Sequence, residues 1–176
     1  AELLAEDHFL RSPLTLLGIH RHLFTDVFSE EIPVGKFRKV NITKKEPVLD
    51  GDTVQYSSHF MIQDTLVYDF EREQNFSYSG LTNEQKALHV MAFLADIWQV
   101  HPFREGNTRT VAVFGIQYLR KLGFHIDNSL FSEHAAYFRN SLVFYHHHGE
   151  KQDKHFLKIF FENLLLGKKN VLLDED

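Results

Sequence analysis

With 176 residues, 43% of them hydrophobic and 17 of them Phe, the chain carries enough apolar material for one well-buried domain and is not a disordered segment. A net charge of −5 gives no basic footprint for nucleic acid, and no apolar run has the length of a membrane span or the pattern of a secretory signal. The absence of cysteine excludes disulfides and fits a cytoplasmic setting.

Taken in chain order, residues 14–28 read as a helix with Pro13 near its start and Leu16, Ile19, Leu23 and Val27 along one face. Residues 46–56 read as a β-hairpin, because Asp50-Gly51-Asp52 is a turn signal between Val48-Leu49 and Thr53–Tyr56. Residues 58–70 read as a second helix with Phe60, Met61, Leu66 and Phe70 toward the core, and residues 71–80 as loop. Thr82 with Gln85 forms a capping box, opening a helix from about Asn83 to Val100. Its apolar residues, from Ala87 through Trp98, wrap almost all round it, which predicts a helix at the centre of the domain.

Pro102 disfavours helical geometry at His101, so this helix ends there. The next starts at Asn107 or Thr108 and stops at Gly123, after Arg120 and Lys121. His101–Arg109, HPFREGNTR, is therefore a helix–loop–helix joint with free backbone N–H groups facing the loop. A carboxylate and an arginine beside a helix N-terminus suit a magnesium-bound polyphosphate. A histidine nearby can take a proton from whatever attacks that phosphate. The bland reading is a structural turn in which Glu105 and Arg109 form only a weak ion pair.

Residues 130–146 and 153–166 read as further helices, the last with an apolar face of Phe156, Ile159, Phe160, Leu164 and Leu165. The tail from Gly167 to Asp176 is expected to fray. Three consecutive histidines, His146 to His148, cannot all face one ion from a regular helix, so they read as a solvent-facing helix end. His101 and Glu105 lack a third ligand of defined spacing, which argues against zinc. Aromatics near Tyr145 read as core rather than as an adenine pocket.

HPFREGNTR resembles the signature of the Fic (filamentation induced by cAMP) family, of the cell filamentation protein type, H-x-F-x-[DE]-G-N-G-R-x-x-R. Ile19–Phe24 resembles the family's early helix, Val34–Arg38 its A-G-x-x-R, and Phe138–Leu142 the helix after the motif. The likeness runs from about residue 14 to 166, so the resemblance implies a single Fic domain over 1–176, mainly α with a small β-hairpin called the flap.

That resemblance implies transfer of AMP from Mg-ATP to a Ser, Thr or Tyr hydroxyl of a protein, with diphosphate leaving. Carried onto this chain, His101 is the general base, Phe103 the buried anchor and Glu105 the Mg2+ ligand. Gly106 lets the backbone approach the phosphates, Asn107 bonds the phosphate at the reaction centre, and Arg109 holds the departing phosphates. The implied partner is a protein substrate docked by strand addition on the hairpin near residues 46–56, with no nucleic acid and no membrane.

Two positions depart from the pattern. Thr108 replaces the family's second glycine, which predicts an ordinary φ or strain there and offers its hydroxyl as a phosphate donor. Ala112 replaces the second arginine, which holds the γ-phosphate region in typical members and pairs with an inhibitory glutamate in autoinhibited ones. The inhibitory pattern [ST]-x-x-x-E-[GN] has no complete copy: His134 follows Ser129-x-x-x-Glu133, and Lys158 stands where Glu162-Asn163 would need Ser or Thr. Inhibition, where it exists, is then expected from an upstream helix or a partner chain. Three rival readings keep the site but change what it does: transfer of another nucleotide or phosphate-containing group, a non-catalytic module holding nucleotide or peptide, and removal of AMP from a modified protein with water as nucleophile.

Overall fold

The computed structural model describes residues 10–173, and among them it contains helices and no strand. The helices are α1 (Pro13–Phe24), α2 (Ile62–Gln74), α3 (Asn83–Val100), α4 (Asn107–Lys121), α5 (Ser129–Glu133), α6 (Ala135–His146) and α7 (His155–Leu166). Short 3-10 turns occupy Pro47–Leu49 and His59–Met61. None of the helices is long and apolar enough to cross a membrane.

Helix α3 is the hub, packing against α2, α4, α6 and α7, while α1 lies on α4 and α2. Its start is fixed by the capping box: the Gln85 N–H donates to Thr82 Oγ1 (3.2 Å) and the Thr82 N–H to Gln85 Oε1 (2.9 Å). From Ala87 to Val100 it buries residues on nearly every face, as its sequence predicts. Each large side chain so buried contributes about 1.5–3 kcal/mol relative to exposure. Gly115 lets α4 come close, since a Cβ there would lie 2.8 Å from Leu94 Cδ1. Edge-on contacts of Phe70 with Phe93 and Phe114, both at 5.5 Å, join α2, α3 and α4.

Several expectations are corrected. The hairpin is absent: after the 3-10 turn, Asp50 and Gly51 do take positive φ (56° and 88°), but only Glu46 N–H to Asp52 O (2.8 Å) and local turn bonds follow. A ladder does not form because the incoming arm, Pro47–Leu49, is a 3-10 turn rather than an extended strand and Pro47 has no N–H to donate. Helix α1 stops at Phe24, because Thr25 leaves helical geometry and Asp26 has φ 63°, so Val27 is exposed.

Phe60 and Met61 lie in the 3-10 turn ahead of α2 and are exposed; Ile62, Leu66 and Phe70 form that helix's apolar core face, and it runs on to Gln74. The helix expected over 130–146 is broken at His134 (φ −124°, ψ 41°) into α5 and α6. As far as Asn170 the tail is tied down rather than frayed, because Asn163 and Asn170 exchange two hydrogen bonds of 2.8 Å; residues 174–176 lie outside the described ones.

His146 and His147 are buried, not solvent-facing. His146 Nε2 meets the Ala95 carbonyl at 2.8 Å, and His147 Nε2 meets Asp52 at 3.0 Å; His148 alone is exposed.

Candidate functional site

The nine-residue loop is built from two backbone choices. His101 ends α3 in the left-handed region (φ 50°, ψ 59°): Pro102 disfavours the helical conformation there, and His101 takes this uncommon one rather than the extended one that usually precedes proline. Gly106 opens α4 at φ 81°, and a Cβ there would sit 2.4 Å from Phe24 Cε2. Both its conformation and the Phe24 ring therefore demand glycine. Gly106→Ala should cost about 2 kcal/mol or more, combining left-handed strain with overpacking. Urea unfolding checks this; an unchanged midpoint would contradict it.

The loop is pinned from four sides. Asn107 bridges it, its Oδ1 accepting from the Phe103 N–H and its Nδ2 donating to the Phe103 carbonyl, both at 2.9 Å. Phe103 is buried and stacks on His20 at 3.9 Å. His20 Nε2 lies 3.0 Å from the Glu105 carbonyl, and its Nδ1 accepts from the Gly35 N–H at 2.9 Å. One ring nitrogen donates and the other accepts, so His20 is neutral, and burial holds its pKa below the ordinary value. Arg38, almost wholly buried, donates to the carbonyls of His101 (2.8 Å), Val40 (2.7 Å), Ser57 (2.5 Å) and Val100 (3.3 Å).

This frame leaves His101 ready as a base. Its Nδ1 lies 3.2 Å from the Trp98 carbonyl, and Nε2 has no partner among the described residues. With Nδ1–H donating to that carbonyl, the Nε2 lone pair is free. The ring stacks on Tyr56 at 4.0 Å and is edged by Trp98 at 5.1 Å. Burial, reinforced by the charge of Lys44, holds its pKa well below the ordinary histidine value, so the free imidazole persists at neutral pH.

Around it lies a pocket of about 160 Å³ lined by Lys44, Glu46, Tyr56, Trp98, His101 and Glu105–Arg109, with Arg139 reaching in from α6. It thus gathers His101, Glu105, Gly106, Asn107, Thr108 and Arg109, all six of the site residues read from sequence. No side chain caps the N-terminus of α4, so its first N–H groups are available to an anion. The volume is about half of what an ordinary small-molecule site needs, which suits the phosphate end of a nucleotide with the nucleoside on the open side. Arg109 is exposed with its guanidinium 4.6 Å over Phe24, the same ring that sets Gly106. Thr108 has ordinary helical φ, and its Oγ1 accepts from Trp98 Nε1 at 2.9 Å, so the hydroxyl proton is directed elsewhere.

Glu105 is exposed and meets Lys44 Nζ at 3.2 Å, an exchangeable surface pair worth at most about 1 kcal/mol. No three-residue cluster of metal-binding side chains occurs among the described residues. The one open carboxylate fits a Mg2+ that arrives with substrate phosphates, rather than one held in a protein cage. The second carboxylate, Glu46, is fully buried and bound by Arg139 Nη2 at 2.5 Å and Tyr56 Oη at 3.4 Å. Neither Glu133 nor Glu162 lines this pocket.

Sequence reasoning gave no role to His20, Arg38, Lys44, Glu46, Tyr56 or Arg139. His20, Arg38 and Arg139 fall inside the three flanking matches, which were the available signal; Lys44, Glu46 and Tyr56 carry no spacing that marks them.

The buried histidines also predict acid lability. Burial lowers the pKa of His20, His101 and His146 in the folded chain, whereas unfolded histidine titrates near 6.5. Below about pH 6.5 the unfolded state then binds more protons than the folded one. Stability is fully present above that pH and falls as pH drops, by up to about 1.4 kcal/mol per pH unit for each such group. Asp69, raised to about 6 mainly by burial, acts in the opposite sense between its ordinary value and 6 and offsets one of the three. Urea unfolding at pH 7 and pH 5.5 should show the loss; equal stabilities would contradict it.

Comparisons with known proteins show the family. The Fic/DOC family profile matches residues 12–119. The chain is 31% identical over 112 residues to protein adenylyltransferase VbhT of Bartonella schoenbuchensis, covering 62% of this chain and 21% of that protein. It is 31% identical over 122 residues to the probable protein adenylyltransferase y4lH of Sinorhizobium fredii, covering 64% of this chain and 54% of that one. It thus spans about a fifth and about half of these relatives. Its fold is shared with the type IV secretion system effector protein BepA (TM-score 0.68, 24% identity, 93% of this chain and 56% of that one). It is shared also with BepC of Bartonella tribocorum, solved with bound AMPPNP (TM-score 0.66, 19% identity, 88% and 74%). With the family profile covering more than half of its length, including the whole His101–Arg109 loop, this chain belongs to the Fic/DOC family.

Proposed function

We propose that the chain transfers AMP from Mg-ATP to a Ser, Thr or Tyr hydroxyl of a target protein. The observation that carries this reading is the free Nε2 of His101 in the same pocket as the uncapped N-terminus of α4. Relatives named protein adenylyltransferases support it.

In this mechanism His101 Nε2 takes the proton of the attacking hydroxyl as its oxygen bonds to the α-phosphorus. The bond from that phosphorus to the bridging oxygen breaks, and diphosphate leaves with the electron pair. The N–H groups at the start of α4 and the Arg109 guanidinium stabilise the negative charge on the phosphates. The Thr108 hydroxyl, oriented by Trp98, donates to the same phosphates. Asn107 keeps the loop in shape through Phe103 and offers the phosphate its remaining amide proton. Magnesium, held by Glu105 and the phosphates, would neutralise charge on the donor.

The target segment would lie in a groove of about 650 Å³ between the extended stretches Asn41–Thr43 and Asp52–Ser58, closed at one end by His147–Gly149. Tyr56 lines both this groove and the phosphate pocket, so a hydroxyl presented there is beside His101. The second reading, a different donor, rests on Ala112, a buried methyl where the family motif has a cation.

The test is to incubate the chain with Mg-ATP and a cell lysate and identify modified side chains by mass spectrometry. An AMP adduct on a hydroxyl is expected. A phosphoryl or other nucleotide adduct would replace this reading with the second, and no adduct with any nucleoside triphosphate would overturn both.

A further inference from the structure

The Ala112 position leaves a problem of charge. A bound triphosphate brings several negative charges into the pocket, and the carboxylates of Glu105 and Glu46 add two more. Within the motif only Arg109 answers them. Two cations from outside the motif line the same pocket, Lys44 and Arg139.

They differ in how they are held. Lys44 is a flexible point charge on an exposed partner, Glu105. Arg139 is fixed: its Nη2 is 2.5 Å from Glu46, whose carboxylate is fully buried and accepts from Tyr56 as well, and its Nη1 donates to Asn140 Oδ1 at 3.3 Å. The Nε–H and the remaining Nη protons have no acceptor among the described residues, and the side chain is 39% exposed. A buried carboxylate thus grips one edge of the fork while the other donors stay open. This is the arrangement that preorganises an arginine for phosphate.

We propose that Arg139, oriented by Glu46, is the second polyphosphate-binding cation of this site, beside Arg109. Its ligand is the β,γ end of a nucleoside triphosphate. The inference rests on the nucleotide reading above and adds a residue from α6 to it. It makes the site selective for triphosphate over monophosphate, because AMP has nothing to offer Arg139. A purely structural role, with the ion pair stapling the 46–52 turn to α6, predicts no such selectivity.

Calorimetric titration of the purified chain with ATP and with AMP, both with Mg2+, separates the two. Arg139→Ala should weaken ATP binding about ten- to hundredfold, the loss of a charge-assisted contact, and change AMP binding less than about threefold. Arg139→Gln keeps an amide on Glu46, so the turn stays pinned; it should show the same loss for ATP while melting near the wild-type temperature. Equal effects on ATP and AMP, or none on either, would overturn the proposal. Wild-type protein that binds neither nucleotide would instead overturn the nucleotide reading beneath it.

Discussion

Arg38→Met should lower the stability of the fold by about 3 kcal/mol or more, although Arg38 touches no reacting atom. The side chain reaches four backbone carbonyls from three separate stretches, at Val40, Ser57 and the end of α3. Hydrogen bonds to a charged group contribute about 1.5–3 kcal/mol each, and buried acceptors left without donors cost about 1–3 kcal/mol. These contributions do not simply add, yet even two of them are a large part of the roughly 5–15 kcal/mol that holds a domain together. A melting point lower by on the order of 10 °C is expected. Arg38→Lys, with a charge but no fork, should fall between. Since Arg38 grips the His101 carbonyl, a variant that stays folded should also lose transfer. A melting point within a degree of wild type would show that the carbonyls find other partners.

The second large effect is catalytic. His101→Ala should reduce AMP transfer by about 10²–10⁴-fold, the range lost when a positioned general base is removed. ATP affinity should stay within about threefold, because the proposed mechanism assigns the phosphate contacts to α4, Arg109 and Arg139 rather than to the imidazole. The loss therefore appears in the rate of the chemical step and not in KM. The low pKa of His101 adds a pH signature: wild-type transfer should be flat from pH 8 down to about 6.5, with its acid limb below that point. An acid limb centred above pH 7 would point to a different group.

What the sequence revealed and what it hid divide along physical lines. Helix α3 was readable to the residue, since a capping box and an apolar pattern act locally and agree with each other. The His101–Arg109 joint was readable for the same reason: Pro102 and Gly106 constrain the backbone wherever they occur. The hairpin misled because its turn signal was sound and its ladder was not. Asp50 and Gly51 bend as expected, but the arm before them coils into the 3-10 turn Pro47–Leu49 instead of extending.

Phe60 and Met61 carried the apolarity of a core and sit outside it, because the α2 residues that face α3 begin at Ile62. The histidine run looked solvated, yet the Ala95 carbonyl on α3 and Asp52 in the turn take up two of the three rings. Glu46 was the least legible of all. A buried charge leaves no periodic trace, and its partner Arg139 lies 93 residues away along the chain.

One measurement bears most directly on AMP transfer by this site. Wild-type chain and His101→Ala are incubated with a cell lysate, Mg2+ and ATP labelled separately on its α- and γ-phosphates. Protein-bound label from the α-phosphate alone is expected, absent with His101→Ala. Label arriving from the γ-phosphate, or α-label undiminished in the variant, would contradict it.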